Sequence, residues 1–256
     1  MHLPEVDKYA HLDSPLHRWD ARVKVACMVL MVVAVVLAPT HAAALVGLAA
    51  ALCLVAVSRI PPAFVMLHLR WVLLMCLFLL IVLPLTAGGG PASPPWRLGP
   101  LRASPAGLAK ATLISVRAVA AVLLIFVTVG TARFHVTLKA LRRLRVPAVA
   151  VQILAFSYRY IFVLFDELQR MLSAARARGH GRARGLRRLS NMGNMLGMLF
   201  VRSLNRTARV HHAMLARGYR GDVKALDDFR LGPADVLKGL CAVAVAAALF
   251  AWGVRA

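Results

Sequence analysis

Apolar residues run almost unbroken through five stretches of the chain, residues 23–38, 42–57, 71–85, 111–130 and 232–252, separated by polar or turn-forming segments. Continuous runs of this length predict membrane-spanning helices, because a helix satisfies its own backbone where no water is present. The expected fold is therefore all-α, a polytopic membrane protein with about five transmembrane helices. A different pattern occupies residues 131–231. There the apolar positions recur every three or four residues and alternate with many arginines, the signature of amphipathic helices. Two long helices are predicted there, over 148–179 and 190–217, as a crossing cytoplasmic pair. The chain so divides into a membrane region with four spans (1–130), a region with the two long helices (131–231) and a last transmembrane helix (232–256).

Residues 148–165 are apolar enough to be taken for a sixth span, and charge decides against it. Were they to cross, residues 166–230 with their fourteen Lys and Arg would lie on the opposite side from the basic segment Arg133, Lys139, Arg142, Arg143 and Arg145. The positive-inside bias opposes that arrangement, which keeps 148–179 along or under the membrane and the amino terminus cytoplasmic. Arg18, Arg22 and Lys24 mark the first membrane entrance. The turn Pro39-Thr40-His41 carries no Lys or Arg and belongs outside, as does the Gly-, Pro- and Ser-rich stretch 86–105, expected as an irregular loop. Residues 63–69, between Pro62 and Arg70, are expected at the interface before the third span. Arg117, inside the fourth, must face a polar cavity or another helix, or snorkel to an interface.

Both long helices end alike, in Ala177-Arg178-Gly179 and Ala216-Arg217-Gly218. Glycine takes the left-handed cap and arginine is favoured at the negative end of the helix dipole, so each tip presents one guanidinium. A routine helix stop explains one such tip; a second copy beside a membrane region suggests paired docking points. On the second helix Met192, Met195 and Leu199 belong to an apolar face, and Gly193 and Gly197 allow close approach of the first long helix, or are merely tolerated there. Asp166 and Glu167 are expected to pair with nearby arginines.

Composition narrows the function. The chain of 256 residues is 60% hydrophobic with a formal net charge of +22. Membrane topology accounts for much of that charge, and nucleic acid is not expected as a partner. Cys27, Cys53, Cys76 and Cys241 lie singly in separate apolar runs, and His211 and His212 diverge by about 100° on a helix, so no metal site is expected. None of the six lysines follows a glycine, which excludes a Walker-type phosphate loop, and no hydrolase or metalloprotease motif is present. The chain is not expected to be an enzyme.

The two Ala-Arg-Gly tips, the ending Ala216-Arg217-Gly218-Tyr219 and the five spans resemble the transmembrane T component of energy-coupling factor transporters over most of the chain. The amino-terminal run Ser14-Pro15-Leu16-His17-Arg18-Trp19-Asp20-Ala21-Arg22-Val23-Lys24 is similar to the cobalt-transport, CbiQ-type branch, with Ala21 where that branch commonly has proline. The resemblance implies a non-catalytic coupling subunit of a bacterial inner membrane, joining two ABC-type ATPases to a substrate-binding multi-span subunit, with a small accessory membrane subunit as a further partner. ATP and Mg would be bound by the ATPases and no cofactor by this chain. Arg178 and Arg217 would enter grooves on the ATPases. Cobalt is the expected ion and nickel the close alternative. A self-sufficient secondary transporter and a lipid-acting membrane enzyme are the competing classes, the first lacking repeated membrane halves and the second lacking catalytic residues.

Overall fold

The computed structural model describes residues 14–17, 19–86, 96–98, 101–179, 185–221 and 232–255. Among them are eight helices: α1 (Ala21–Leu37), α2 (His41–Ser58), α3 (Pro62–Thr86), α4 (Pro105–Gly130), α5 (Phe134–Arg143), α6 (Ala148–Ala177), α7 (Leu186–Ala216) and α8 (Pro233–Arg255). Two three-residue strands, β1 (Trp96–Leu98) and β2 (Leu101–Ala103), pair antiparallel between α3 and α4. The chain separates into two compact units, Pro4–Ala140 with Asp228–Ala256, and Leu141–Asp227 with Met1–Leu3.

The first unit is a helical bundle centred on α4, which packs against α1, α2 and α3, while α1 also packs against α8. Its core is built from Met28, Met31 and Val35 of α1, Ala51 of α2, Leu124 and Val127 of α4 and Leu249 of α8. Small residues bring some of these backbones together. A Cβ built on Gly47 of α2 would lie 2.7 Å from a Val35 methyl, and one on Gly239 of α8 would lie 2.8 Å from a Val23 methyl. Helices without a hydrophobic driving force between them gain attraction from such close approach. The bundle's other surface is apolar: Trp71, Met75, Phe78 and Ile81 of α3 are all exposed. With its long apolar helices, this is a multi-pass membrane protein.

Several local expectations change. The segment 63–69 is not a separate interfacial piece, since α3 runs unbroken from Pro62 to Thr86. Proline at the first helical position starts a helix well, and the Arg70 guanidinium stacks 5.1 Å from the Trp71 ring centroid at the helix surface. The stretch expected as an irregular loop holds the β1–β2 hairpin; its residues 87–95 lie outside the described residues. The basic segment 131–147 contains α5, an amphipathic helix with Leu138 and Ala140 buried. Length and composition select α2, α3, α4, α6 and α8 as able to cross a membrane. They thus include α6, which charge had set aside, and omit α1, which at 17 residues is about 25 Å long.

The amino-terminal segment is part of the bundle. Ser14, Leu16, Trp19 and Asp20 are buried, and Asp20 is the N-cap of α1, accepting from the Arg22 N–H at 2.8 Å and pairing with the Arg22 guanidinium at 3.0 Å. Ala21 is then the first helical residue, a position that suits proline but accepts alanine equally in backbone geometry.

Candidate functional site

The two helix tips are built by their backbones. In α7, Gly218 has φ +83°, its N–H donates to Leu215 O at 2.9 Å, and the Tyr219 N–H donates to Met214 O at 3.0 Å. This pair of crossed bonds closes the last turn and leaves Arg217 as the C-cap, exposed. α6 ends in the same way within the described residues: Gly179 has φ +77°, its N–H donates to Arg176 O at 3.0 Å, and Arg178 is the exposed C-cap. Ala177 and Ala216, the last helical residues, are exposed too.

Among the described residues, side-chain hydrogen bonds link α6 to α7 at one point and to the turn after α7 at another. Glu167 accepts from Arg202 across the pair and from Arg170 at 3.0 Å on its own helix, as expected for the Asp166-Glu167 step. Nearer the start of α6, the Gln152 amide donates to the Tyr219 hydroxyl. The hydrogen bonds from Arg202 and then Arg170 hold the Glu167 carboxyl below the usual carboxylate range. As the chain advances from 152 to 167 on α6, its partners retreat from 219 to 202 on α7, so the helices pair antiparallel. Arg178 and Arg217 accordingly lie at opposite ends. Eleven residues separate Glu167 from Arg178 and fifteen separate Arg202 from Arg217, which at 1.5 Å each puts the tips about 40 Å apart along the pair.

Of the two readings of the α7 glycine pair, that of residues merely tolerated fits: a Cβ on Gly193 or Gly197 would meet nothing within 4 Å among the described residues. The hydrogen bonds described between α6 and the α7 segment are those at Glu167 and Tyr219. The apolar residues of α7 divide between two faces: Met195, Leu199, Val210 and Met214 are half-buried, whereas Met192, Leu196, Phe200 and Leu204 are exposed. No residue of α7 is fully buried.

In the bundle, Arg117 reaches another helix: its Nη2 donates to Ala38 O at the end of α1. The contact gives the helix-terminal carbonyl a donor, while the Arg117 Nε stays without a hydrogen-bond partner among the described residues. Lys24, expected at the first membrane entrance, is buried inside the bundle at the start of α1. It is 1% exposed, and its ammonium donates to Leu16 O, Thr131 O and Thr131 Oγ1. Nothing in the local pattern distinguishes it from the arginines beside it. Cys27 and Cys76 are buried and Cys53 and Cys241 exposed; among the described residues no three His, Cys, Asp or Glu side chains gather as metal ligands.

Comparison with known proteins adds a family. The family described as cobalt transport protein, CbiQ, matches residues 13–226. The cobalt transport protein CbiQ of Rhodobacter capsulatus is 34% identical over 124 residues, 48% of this chain and 50% of that protein, so the match spans half of that relative's length. Two energy-coupling factor transporter transmembrane proteins, EcfT, match over more. The Heliobacterium modesticaldum protein is 28% identical over 225 residues, 84% of this chain and 83% of the relative. The Bacillus subtilis protein is 29% identical over 227 residues, 84% of each.

Proposed function

Because the chain belongs to the CbiQ family of cobalt transport proteins, we propose that it is the transmembrane coupling subunit of an ATP-driven cobalt uptake system. Two cytoplasmic ATPases hold ATP and Mg, a separate multi-span membrane subunit binds the ion, and a small accessory membrane subunit completes the complex. The chain sits in a bacterial inner membrane with its amino terminus inside. In this reading α1–α4 and α8 cross the membrane, while the arginine count keeps α6 and α7 on the cytoplasmic side.

The observation that carries the proposal is the duplicated tip. Two exposed arginines sit on glycine-capped helix ends about 40 Å apart along an antiparallel pair, too far for one groove to take both. A planar guanidinium on a narrow end suits bidentate docking to a carboxylate, and two separated ends suit two copies of one acidic groove. Arg178 and Arg217 are the docking residues. Ala177, Gly179, Ala216 and Gly218 give them room and fix their direction. The exposed apolar residues of α7 face a partner.

The test is the composition of the complex that this chain brings out of native membranes in mild detergent, with ATP-dependent uptake of radioactive cobalt by vesicles containing it. A Walker-type ATPase and a second multi-span protein should accompany the chain. A chain that moves cobalt alone, or that comes out with neither partner, would sink the reading.

A further inference from the structure

Lys24 is a buried cation whose three donors meet three acceptors, none of them a carboxylate: Leu16 O at 3.1 Å, Thr131 O at 3.0 Å and Thr131 Oγ1 at 3.0 Å. Thr131 Oγ1 gives its own hydrogen to Val127 O at 2.7 Å, which leaves a lone pair for the ammonium. Thr131 is also the C-cap of α4, so the charge sits at the negative end of that helix's dipole. An apolar residue would fill such a site without the cost of burying an ammonium. The lysine instead joins segments remote in sequence.

The same amino-terminal segment reaches a third point. The Trp19 indole N–H donates to Asp235 O at 3.2 Å in the first turn of α8, and Lys238 Nζ of α8 donates to Pro15 O at 3.1 Å. Residues 14–24 therefore stitch together the start of α1, the end of α4 and the start of α8. The last two belong to the long bundle helices on either side of the chain between them, the part that carries both tips.

We propose that Lys24 is a positioning residue for energy coupling: it locks the end of α4 to α1 and to the amino-terminal segment that holds the start of α8, so that a pull on the tips moves these helices together instead of one at a time. This rests on the coupling role proposed above. With the lock open, ATP hydrolysis continues but delivers less to transport.

Lys24→Met keeps an unbranched side chain of similar length and removes the donors; Lys24→Arg keeps charge and donors. Amide hydrogen exchange on the purified chain reads the lock without any partner, and exchange around residues 131–136 and 232–238 should rise together in Lys24→Met. In vesicles holding the full complex, Lys24→Met should keep normal subunit content and ATPase turnover while ions moved per ATP fall at least fivefold, with Lys24→Arg restoring most of the loss. Thr131→Val, which removes one acceptor, should fall between them, and it carries the test if Lys24→Met fails to accumulate. Unchanged exchange, a rise at one segment only, or an ion-to-ATP ratio equal to wild type would overturn the role of Lys24. A wild-type complex without ATPases would instead overturn the coupling reading, and the exchange result would still decide whether the lock exists.

Discussion

Gly239→Ala should destabilise the bundle through one identifiable collision. The added Cβ would lie 2.8 Å from Val23 Cγ1 and 3.8 Å from Cys27 Sγ, whereas carbon atoms rest at about 3.5–4.0 Å, so α8 or the valine must retreat by about 1 Å. Overpacking of this kind costs about 1–3 kcal/mol, and alanine returns about 1 kcal/mol as the better helix former. The net loss is about 1 kcal/mol, or about 2–4 °C in Tm for a chain of this length. Val23→Ala removes the obstructing methyl, so adding Gly239→Ala to it should cost nothing or stabilise slightly, a coupling of about 1–3 kcal/mol in the double-mutant cycle. The assay is heating in detergent with pulse labelling of Cys76, which is buried on α3 away from the α1–α8 contact, and quantifying its label by mass spectrometry. Gly193→Ala, with nothing within 4 Å of the new Cβ, is the control and should be neutral or up to about 1 kcal/mol stabilising. An equal loss from Gly239→Ala with and without Val23→Ala would refute the steric argument, as would an equal loss at Gly193.

The contrast between those glycines shows what the chain's pattern reveals and what it hides. A long apolar run announces a helix by itself, and an Arg-Gly step at the end of a helical run announces its cap. Both features are local, and both tips formed as read. Which face of a helix meets a neighbour is not local. Gly193 and Gly197 have the spacing of a close crossing and no neighbour, while Gly47 and Gly239 stand among many small residues yet make the tight contacts. The placements of Lys24 and Arg117 are hidden for the same reason: their acceptors include Thr131 and Ala38, far along the chain. The β1–β2 hairpin and α5 escaped notice because three-residue strands and a ten-residue helix are shorter than the windows in which periodicity emerges. Glu167 was legible because one of its two partners, Arg170, is three residues away.

That carboxylate gives a pH expectation. Its folded pKa is held below the unfolded value of about 4.3, so the α6–α7 ion pair contributes fully above that value and is lost as pH falls through the depressed one. Spin labels at Met171 and Met198, placed across the pair by its antiparallel register, should keep a fixed separation from pH 7 to about 5 and spread only below about 4. The Glu167→Gln variant should show no such transition, and loosening centred above pH 5 would contradict the assignment. The tips give the sharper expectation. Their caps are closed by backbone N–H groups of Gly179, Gly218 and Tyr219, so the arginine side chains are not needed to end the helices. Arg217→Glu then costs the helix only the dipole interaction, about 0.3–1 kcal/mol. A docked guanidinium facing a carboxylate is worth about 2 kcal/mol or more when lost, equivalent to at least about thirtyfold weaker ATPase binding. Arg→Lys separates the two effects, because lysine keeps the charge and the dipole term but not the planar fork. Docking therefore requires both Glu variants to lose ATPase co-purification and cobalt uptake at matched membrane abundance, with both Lys variants partly impaired. If the arginines only favour the helix ends, the Lys variants will equal wild type and the Glu variants will still assemble, and the docking role falls.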